Sequence, residues 1–344
     1  MPPSSTFLRR ALLYVPGSSK KMLDKSSAFA VDSVIYDLED SVTADSKPLA
    51  RDMVTNHIAS TAMRPLRRGP KEVSVRINAV ETGLALQDLN QVITIAGDNL
   101  DTIVVPKVQS ATDVRFVADI VRHLAPDRAN YRDDAPLDSS VQTGTTAKPR
   151  PLHMIGLIES ALGLANIQEI CRAGRSLGLV GLGFAAEDFM SSLGLRKLPD
   201  RREVLLARSS IVNACRAYDL PSAIDMVSVN VHEHADGLSL EEESREGRSL
   251  GFTGKQAIHP SQVEVIQQAF GPSESEMKWA AEIYMGDIEA RKQGKGAWSL
   301  NGRMVDAPVV KAATALIDRA RACGIDVDAY LKSVEGEDRN RYDN

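Results

Sequence analysis

Eight short apolar runs alternate with segments of helical periodicity along most of the chain, and each run has the length of a β-strand. The runs cover residues 11–16, 33–38, 72–78, 102–108, 152–159, 179–184, 223–229 and 255–259. Nearly continuous apolar character is typical of parallel strands that are covered on both faces. The pattern therefore predicts an α/β fold in which the strands close into a (βα)8 TIM barrel, with an open doubly wound sheet as the alternative.

The segments between these runs carry apolar residues at helical spacing. Helices are predicted at 20–30, 46–60, 83–95, 111–124, 163–173, 202–218 and 240–249, and a further segment, 261–270, follows the eighth strand. Residues 127–150 break this rhythm because they are rich in Asp, Pro, Ser, Thr and Gly. They predict a long polar loop inserted before the fifth strand.

The chain beyond residue 270 does not continue the repeat. It contains a predicted helix at 274–291, a glycine-punctuated stretch at 294–308, a second helix at 309–323 and a charged tail. This portion is too short to form a core of its own. We therefore expect a barrel domain at 1–270 and a helical extension at 271–344 that packs on the barrel or on a neighbouring subunit.

Composition excludes several classes of function. The 41 Lys and Arg residues against 46 Asp and Glu give a net charge of −5, and only 5% of residues are aromatic, so nucleic acid is not an expected partner. No apolar run approaches the ~18 residues of a membrane helix, and the first ten residues lack the apolar core of a secretory signal. The three cysteines lie far apart, which excludes a zinc ribbon or a disulfide framework. We expect a soluble protein of the cytoplasm, with the mitochondrial matrix as the alternative.

Ionisable residues gather where the predicted strands end. The second strand leads into Asp37, Glu39 and Asp40, the third into Arg76 and the fourth into Lys107. The fifth strand ends in Glu159, and the sixth leads into Glu187 and Asp188. Barrel enzymes carry their chemistry at the carboxyl ends of the strands, and charges there are costly unless they are paired or bind a ligand. Mutual neutralisation across the barrel mouth is the simpler interpretation, but the number of converging charges favours a functional site.

The residue types indicate the chemistry of such a site. Carboxylates without a matching set of Cys or His favour a hard cation such as Mg²⁺, which accepts one or two carboxylates and keeps water for exchange with substrate. A cation of this kind polarises a carbonyl and stabilises a developing enolate. The planar fork of Arg76 suits the carboxylate of a substrate.

Three other motifs are weaker. Gly181 and Gly183 match a dinucleotide fingerprint by letter, but they fall inside a strand, and Gly17 begins a sequence without the second glycine of a P-loop. His232 and His234 have the spacing of zinc ligands but lie in a polar loop with no third histidine nearby. We interpret all three as structural or solvated segments.

Two lysines of the first helix have a different character. Lys21 and Lys25 are four residues apart and share a face beside the barrel rim, and Arg10 lies just upstream. The face is either simply solvated or a cradle for the phosphates of an extended ligand.

Several of these segments together resemble the citrate lyase β-subunit-like proteins, members of an aldolase superfamily that includes the malyl-CoA lyases. The likeness extends from residue 9 to about residue 323. It rests on RALLYVPGS at 10–18, VIYDLEDSV at 34–42, VRIN at 75–78, VPK at 105–107, IES at 158–160, AEDF at 186–189, KQAIHP at 255–260 and GRMVDAP at 302–308. Each motif alone is of moderate specificity, but their order and spacing are strong evidence.

The resemblance implies a Mg²⁺-dependent barrel enzyme that makes or breaks a carbon–carbon bond beside a CoA thioester. Glu159 and Asp188 would be the metal ligands, and Arg76 would bind the 2-oxo acid or hydroxyacyl group. Asp37 and Glu39 would hold metal-bound water and orient Arg76.

The resemblance also implies residues for the rest of the ligand. Arg10, Lys21 and Lys25 would contact the phosphates of CoA, and the turn at His259 and Pro260 would lie near its adenine. Asp306 lies outside the barrel. In malyl-CoA-lyase-like relatives the corresponding aspartate is the acid/base and reaches the site from an adjacent subunit. We therefore expect a homo-oligomer, a trimer or a hexamer, in which the segment around Gly296, Gly302 and Pro308 acts as a lid.

The function that follows is a Mg²⁺-dependent acyl-CoA carbon–carbon lyase or synthase of the citryl-CoA, malyl-CoA or β-methylmalyl-CoA type, with thioester hydrolysis as a possible second step. Its partners would be a CoA thioester and a small 2-oxo acid. Two alternatives are a CoA-independent 2-oxo-acid aldolase and a β-subunit that works only within a larger acyl-carrier lyase complex.

Overall fold

The barrel predicted from the eight apolar runs is confirmed. The structure, a computed structural model, describes residues 7–60, 71–129, 150–229, 238–294, 296–300 and 302–342. Eight parallel strands pair in sequence order, and β8 pairs with β1 to close the barrel, so the open-sheet alternative is wrong. The strands are β1 Ala11–Pro16, β2 Ser33–Asp37, β3 Glu72–Arg76, β4 Thr102–Val105, β5 His153–Ile158, β6 Leu179–Phe184, β7 Ser222–Asp225 and β8 Gly254–Ala257.

Helices follow the strands and cover the outside of the barrel. They are α1 Lys20–Ser26, α2 Lys47–Ala59, α3 Ala85–Ala96, α4 Ala111–Leu124, α5 Ala161–Ala165, α6 Ile167–Ser176, α7 Ala186–Leu193, α8 Leu205–Ala217, α9 Leu240–Ser249 and α10 Gln262–Ala269. The helix expected at 163–173 is divided into α5 and α6, and Asn166 between them donates to the carbonyl of Gln109. Most of the predicted loop at 127–150 and both His232 and His234 lie outside the described residues.

The interior of the barrel is apolar in the middle and charged at both ends. Buried side chains from five of the strands pack into one cluster: Leu12, Ile35, Val104, Ile155, Leu157 and Ile224. Several strands are shorter than the apolar runs suggested, because the last residues of each run already belong to the loop that follows. The side chains of these loops therefore converge at the carboxyl ends of the strands, which we call the mouth of the barrel.

Gly17 shows how closely these loops pack at the mouth. Its N–H donates to the carbonyl oxygen of Asp37 at 2.9 Å. A Cβ atom at this position would lie 2.6 Å from the same oxygen. Only glycine permits the approach, and it brings the start of α1 against the end of β2.

The chain divides into two compact units, Met1–Ile266 and Gln267–Asn344. Beyond α10 the second unit contains the helices α11 Glu274–Lys292, α12 Ala307–Ala322 and α13 Val327–Tyr342, and the antiparallel strands β9 Trp298–Leu300 and β10 Arg303–Val305. The glycine-punctuated stretch contains the hairpin, and the charged tail contains α13. The prediction that this portion is too short to form a core of its own is wrong. The hairpin and α13 form because their apolar residues join one core, which includes Met277, Ile283, Val305, Ile317 and Val327.

No helix in the described part of the chain is long and apolar enough to cross a membrane.

Candidate active site

Asp37 and Arg76 form the central ion pair of the barrel mouth. They are the last residues of β2 and β3, and the register of the two strands places them side by side. Arg76 Nε and Nη2 donate to the two carboxylate oxygens of Asp37 at 2.7 and 2.8 Å. Asp37 also accepts the N–H groups of Glu39 and Ser41. Burial acts to raise the pKa of Asp37, but the hydrogen bond and charge of Arg76 outweigh it and lower the pKa below its usual value.

Glu39 connects this ion pair to Lys107. Its Oε2 atom lies 3.0 Å from Arg76 Nη1, and its Oε1 atom accepts from Lys107 Nζ at 2.5 Å. Asp40 lies at the edge of the same group, 3.4 Å from Lys107 Nζ. Burial acts to lower the pKa of Lys107, but Glu39 and Asp40 raise it, so the amine stays charged. The arrangement confirms the expected convergence of charges from the second, third and fourth strands.

Tyr14 and Gln256 support Arg76 from inside the barrel. The guanidinium carbon of Arg76 lies 4.9 Å from the centre of the Tyr14 ring, a cation–π contact. Tyr14 Oη donates to Gln256 Oε1 at 2.9 Å. Gln256 Nε2 in turn donates to the carbonyls of Phe184 and Asp225. Sequence reasoning did not identify either residue, although a glutamine inside a short buried strand is a signal for an interior polar contact.

Glu159 is the most unusual carboxylate of the mouth. It directly follows β5 and is 3% exposed. Oε1 accepts the backbone N–H of Lys107 at 3.1 Å, whereas the buried Oε2 atom accepts no hydrogen bond from any described residue. Burial, together with the negative charges of Glu39 and Asp188, raises the pKa of Glu159 to about 8. A buried carboxylate oxygen without a donor is costly unless a cation occupies the space in front of it.

The mouth fits a magnesium ion better than a transition metal. Within the described ranges no three His, Cys, Asp or Glu residues are grouped as a complete set of metal ligands. Mg²⁺ needs only one or two protein carboxylates, because water and substrate oxygens complete its coordination. Glu159 has a free oxygen, and Asp188, in the first turn of α7, is exposed and near enough to raise the pKa of Glu159. The two predicted ligands therefore lie at the same barrel mouth within electrostatic range of each other, and their joint binding of a metal stays a prediction.

The structure does not bring Arg10 to the mouth. Arg10 precedes β1, so it lies at the amino end of the barrel, opposite Arg76. Its guanidinium and its backbone N–H are bound to the carboxylate of Asp32, with Nε–Oδ2 and Nη2–Oδ1 distances of 2.8 and 2.9 Å. The predicted contact with CoA phosphates is therefore corrected for this residue, because the polarity of the strand directs it away from the site.

The other predicted CoA contacts lie on the mouth side of the barrel. Lys21 is in the first turn of α1 and Lys25 in its last turn, and both side chains are exposed. His259 and Pro260 follow β8 and are also exposed, and His259 Nδ1 bonds with the hydroxyl of Ser261. Their contact with a nucleotide stays a prediction.

Asp306 belongs to the second unit, where it directly follows β10. It is the N-cap of α12, and its Oδ1 atom accepts the N–H of Val309 at 3.3 Å. One oxygen of Asp306 thus caps the N-terminus of α12. The role of Asp306 as an acid/base stays a prediction.

The dinucleotide-like letters at Gly181 and Gly183 have a packing explanation. Both residues lie inside β6, and a Cβ atom at Gly181 would lie 2.4 Å from the carbonyl oxygen of Ser222 on β7. A Cβ atom at Gly183 would lie 2.6 Å from the side chain of Leu157. The glycines allow neighbouring strands to approach each other, in agreement with the structural interpretation.

The chain is similar in sequence to a family of known enzymes. Residues 10–260 match the HpcH/HpaI aldolase/citrate lyase family. The chain is 34% identical over 313 residues to mitochondrial citramalyl-CoA lyase from Homo sapiens, covering 89% of this chain and 83% of that protein. It is 33% identical over 315 residues to citrate lyase subunit beta from Haemophilus influenzae, covering 92% and 98%.

A solved structure is similar in fold as well. Protein CitE from Mycobacterium tuberculosis, crystallised in complex with magnesium, acetoacetate and coenzyme A, superposes with a TM-score of 0.65 at 29% identity. The match covers 91% of this chain and 98% of that one.

Proposed function

Because the chain belongs to the HpcH/HpaI aldolase/citrate lyase family, we propose that it is a Mg²⁺-dependent lyase that splits a 3-hydroxyacyl-CoA thioester into acyl-CoA and a 2-oxo acid. Membership of the family and the lyase names of its relatives confirm the predicted enzyme class, a carbon–carbon lyase. The observation that carries the proposal is the buried Oε2 atom of Glu159, which has no hydrogen-bond partner among the described residues and lies at the same mouth as Arg76.

Arg76 is suited to hold the carboxylate and carbonyl oxygen of the 2-oxo acid. Asp37 occupies the Nε and Nη2 edge of the guanidinium, so the ring of Tyr14 and this carboxylate fix its plane. The Nη1 edge lies 3.0 Å from Glu39, so a ligand that binds this edge would share it with Glu39. A charge-assisted contact in this fixed geometry stabilises the 2-oxo acid as it separates.

Glu159 and Asp188 would hold the metal. When bound there, Mg²⁺ supplies Lewis-acid polarisation of the carbonyl oxygen of the 2-oxo acid and stabilises negative charge on the acyl-CoA enolate. Glu159 must be ionised to bind it, and the N–H of Lys107 keeps its Oε1 atom oriented.

Asp306 is proposed as the acid/base, supplied from the second unit of a neighbouring copy in a homo-oligomer. In cleavage its carboxylate would accept the proton of the substrate hydroxyl as the carbon–carbon bond breaks, and would then return that proton to the enolate carbon to give acyl-CoA. In synthesis it would remove a proton from the acyl-CoA carbon that attacks the carbonyl. Its Oδ2 atom is the candidate oxygen, since Oδ1 caps α12.

Lys21 and Lys25 are proposed to bind the phosphates of CoA, with Pro260 beside the adenine. The lysines lie on the mouth side of the barrel, are exposed and form no ion pair with any other described residue. This placement supports a CoA thioester over a free 2-oxo-acid aldol substrate. The cytoplasm stays the proposed compartment, with the mitochondrial matrix as the alternative.

The test is cleavage of citramalyl-, malyl-, β-methylmalyl- and citryl-CoA by the purified chain, with release of acyl-CoA and 2-oxo acid as the readouts. Activity should disappear with EDTA and return with Mg²⁺, and Asp306→Asn should abolish turnover while Mg²⁺ still binds. Turnover that is indifferent to EDTA would contradict the metal assignment. Full turnover by Asp306→Asn would contradict the acid/base assignment.

A non-autonomous β-subunit is the second candidate, because citrate lyase subunit beta is 33% identical to this chain across 98% of its own length. The same assay separates the two functions. Turnover of free CoA thioesters by the chain alone supports the autonomous enzyme, whereas turnover only with an acyl-carrier partner supports the subunit. A gain in Tm with CoA that a Lys21→Ala/Lys25→Ala variant lacks would exclude the CoA-independent aldolase.

A further inference from the structure

Lys107 has an unusual backbone conformation at the edge of the candidate metal site. Its φ angle is +50°, in the left-handed region that residues other than glycine rarely adopt. Of the non-glycine residues with positive φ in the described part of the chain, Lys107 is the one that contacts Glu159. Strain of this kind persists only where the surrounding contacts impose it, and it is concentrated at functional sites.

The contacts that impose this conformation lie on both sides of Lys107. Pro106 precedes it and cannot continue the hydrogen bonding of β4. The N–H of Val108 donates to the carbonyl of Leu157 on β5 at 3.1 Å, and the carbonyl of Gln109 accepts from Asn166 at 2.8 Å. The turn is therefore attached to β5 and to the segment between α5 and α6, and its geometry is fixed.

The left-handed turn has two consequences for the site. It directs the backbone N–H of Lys107 to Oε1 of Glu159, which leaves Oε2 as the free oxygen. It also directs the side chain toward β2, where Nζ binds Glu39 and approaches Asp40.

We propose that Lys107 is a positioning residue that sets the orientation of Glu159 through its backbone and the orientation of Glu39 through its amine. The inference rests on the proposed metal site. The backbone contact keeps Glu159 ready to receive Mg²⁺. The amine holds Oε1 of Glu39, and Oε2 of the same carboxylate lies 3.0 Å from Arg76 Nη1, so Lys107 fixes Glu39 beside the guanidinium that is proposed to bind substrate.

Two substitutions separate the backbone contact from the amine. Lys107→Gly removes the amine but adopts φ of +50° without strain, so the N–H to Glu159 is kept. Lys107→Val removes the amine and also disfavours the left-handed turn, because a β-branched residue is strained there. Lys107→Thr, which is also β-branched, serves if the valine variant fails to fold. Lys107→Arg tests rescue by another cation.

The experiment measures Mg²⁺ binding by calorimetry on each purified full-length variant, and KM and kcat for the CoA thioester that the wild type cleaves. Lys107→Gly should bind Mg²⁺ within about twofold of the wild type, and Lys107→Val or Lys107→Thr should bind it roughly 10-fold or more weakly. Lys107→Gly should raise KM roughly tenfold with a smaller change in kcat, and Lys107→Arg should recover part of the loss.

The outcomes distinguish failure of the inference from failure of the proposed function. Equal Mg²⁺ affinity in the glycine, threonine and valine variants would overturn the role of the backbone, and an unchanged KM in Lys107→Gly would overturn the role of the amine. A wild type that binds Mg²⁺ but cleaves no thioester would contradict the proposed function, while the Mg²⁺ affinities would still decide the inference on Glu159. A wild type that binds no Mg²⁺ would overturn both.

Discussion

The two ends of the barrel both contain buried arginine–carboxylate pairs, but the mouth also contains Glu159, a buried carboxylate with one oxygen that has no donor among the described residues. At the amino end, Arg9 binds both oxygens of Glu72 and also the hydroxyl of Ser222, and Glu72 accepts a further bond from Thr102. Arg9 and Glu72 are 3% and 0% exposed, and each has its polar atoms paired. This group closes the amino end of the barrel and leaves nothing for a ligand to complete.

At the mouth, the charged groups are not all paired with one another. Arg76 donates to both oxygens of Asp37, as Arg9 does to those of Glu72. However, Oε2 of Glu159 has no donor among the described residues, and Asp188 is exposed to solvent. A buried arginine–carboxylate pair is therefore no sign of function by itself, because the pair at the amino end has only a structural role. The sign of function is the carboxylate that the neighbouring residues leave incomplete.

The largest expected effect is on stability, at the amino end. Arg9→Met should lower the free energy of unfolding by about 3–5 kcal/mol, because it leaves Glu72 charged and buried without its partner. Denaturation in urea measures the loss. A double variant, Arg9→Met/Glu72→Leu, should recover most of it, since two apolar side chains leave no uncompensated charge. If the folded Arg9→Met variant also lost Mg²⁺ affinity, the division between a structural end and a functional end would be wrong.

The next effect is on catalysis, at the mouth. Arg76→Lys should lower kcat/KM roughly 10²–10³-fold, because a lysine cannot bind Asp37 through two donors and present a third to the substrate. Steady-state kinetics with the preferred thioester measures it.

Arg10→Lys is the matched control for Arg76→Lys. Arg10 binds Asp32 with the same two-donor geometry, but at the opposite end of the barrel. The same chemical change should leave kcat/KM within about twofold, since no substrate contact is lost. A large fall in kcat/KM or in CoA affinity for Arg10→Lys would show that Arg10 does contact the phosphates of CoA, contrary to its position in the structure.

A smaller effect concerns the pH dependence of stability in metal-free protein. Burial raises the pKa of Glu159 from 4.5 to about 8, so between these values the folded protein binds more protons than the unfolded chain. Its contribution to stability is then present at low pH and is lost as the pH rises through about 8. The Tm measured in EDTA should fall more steeply from pH 5 to pH 8 in the wild type than in Glu159→Gln. Saturating Mg²⁺ should reduce the difference, and equal slopes in EDTA would contradict the raised pKa.

The sequence predicted the part of the site that depends on strand order. Asp37, Arg76 and Glu159 follow apolar runs, and parallel strands bring their carboxyl ends together whatever the details of packing. The same logic should have excluded Arg10, which stands before its strand, so that error came from the resemblance and not from the pattern.

The parts that sequence could not predict depend on contacts between distant residues. Tyr14 and Gln256 are 242 residues apart and meet only because β8 closes against β1. The left-handed turn at Lys107 follows from bonds to β5 and to Asn166, and no local motif of turn residues announces it. The hairpin of the second unit likewise forms because Trp298 fits against Gly286, where a Cβ atom would lie 2.1 Å from the indole ring.

The smallest expected effect tests how firmly the mouth is held from inside the barrel. Tyr14→Phe keeps the ring beneath Arg76 and removes only the hydrogen bond to Gln256, so kcat/KM should fall no more than about tenfold, as one neutral hydrogen bond allows. Tyr14→Leu also removes the cation–π contact and should cost several-fold more, mainly in KM. Both values come from steady-state kinetics beside Tm measurements that control for folding. If Tyr14→Phe lowered kcat/KM as much as Tyr14→Leu, the hydroxyl would act on the substrate and not only on Gln256. Tyr14 would then belong to the active site itself and not only to the residues that support Arg76.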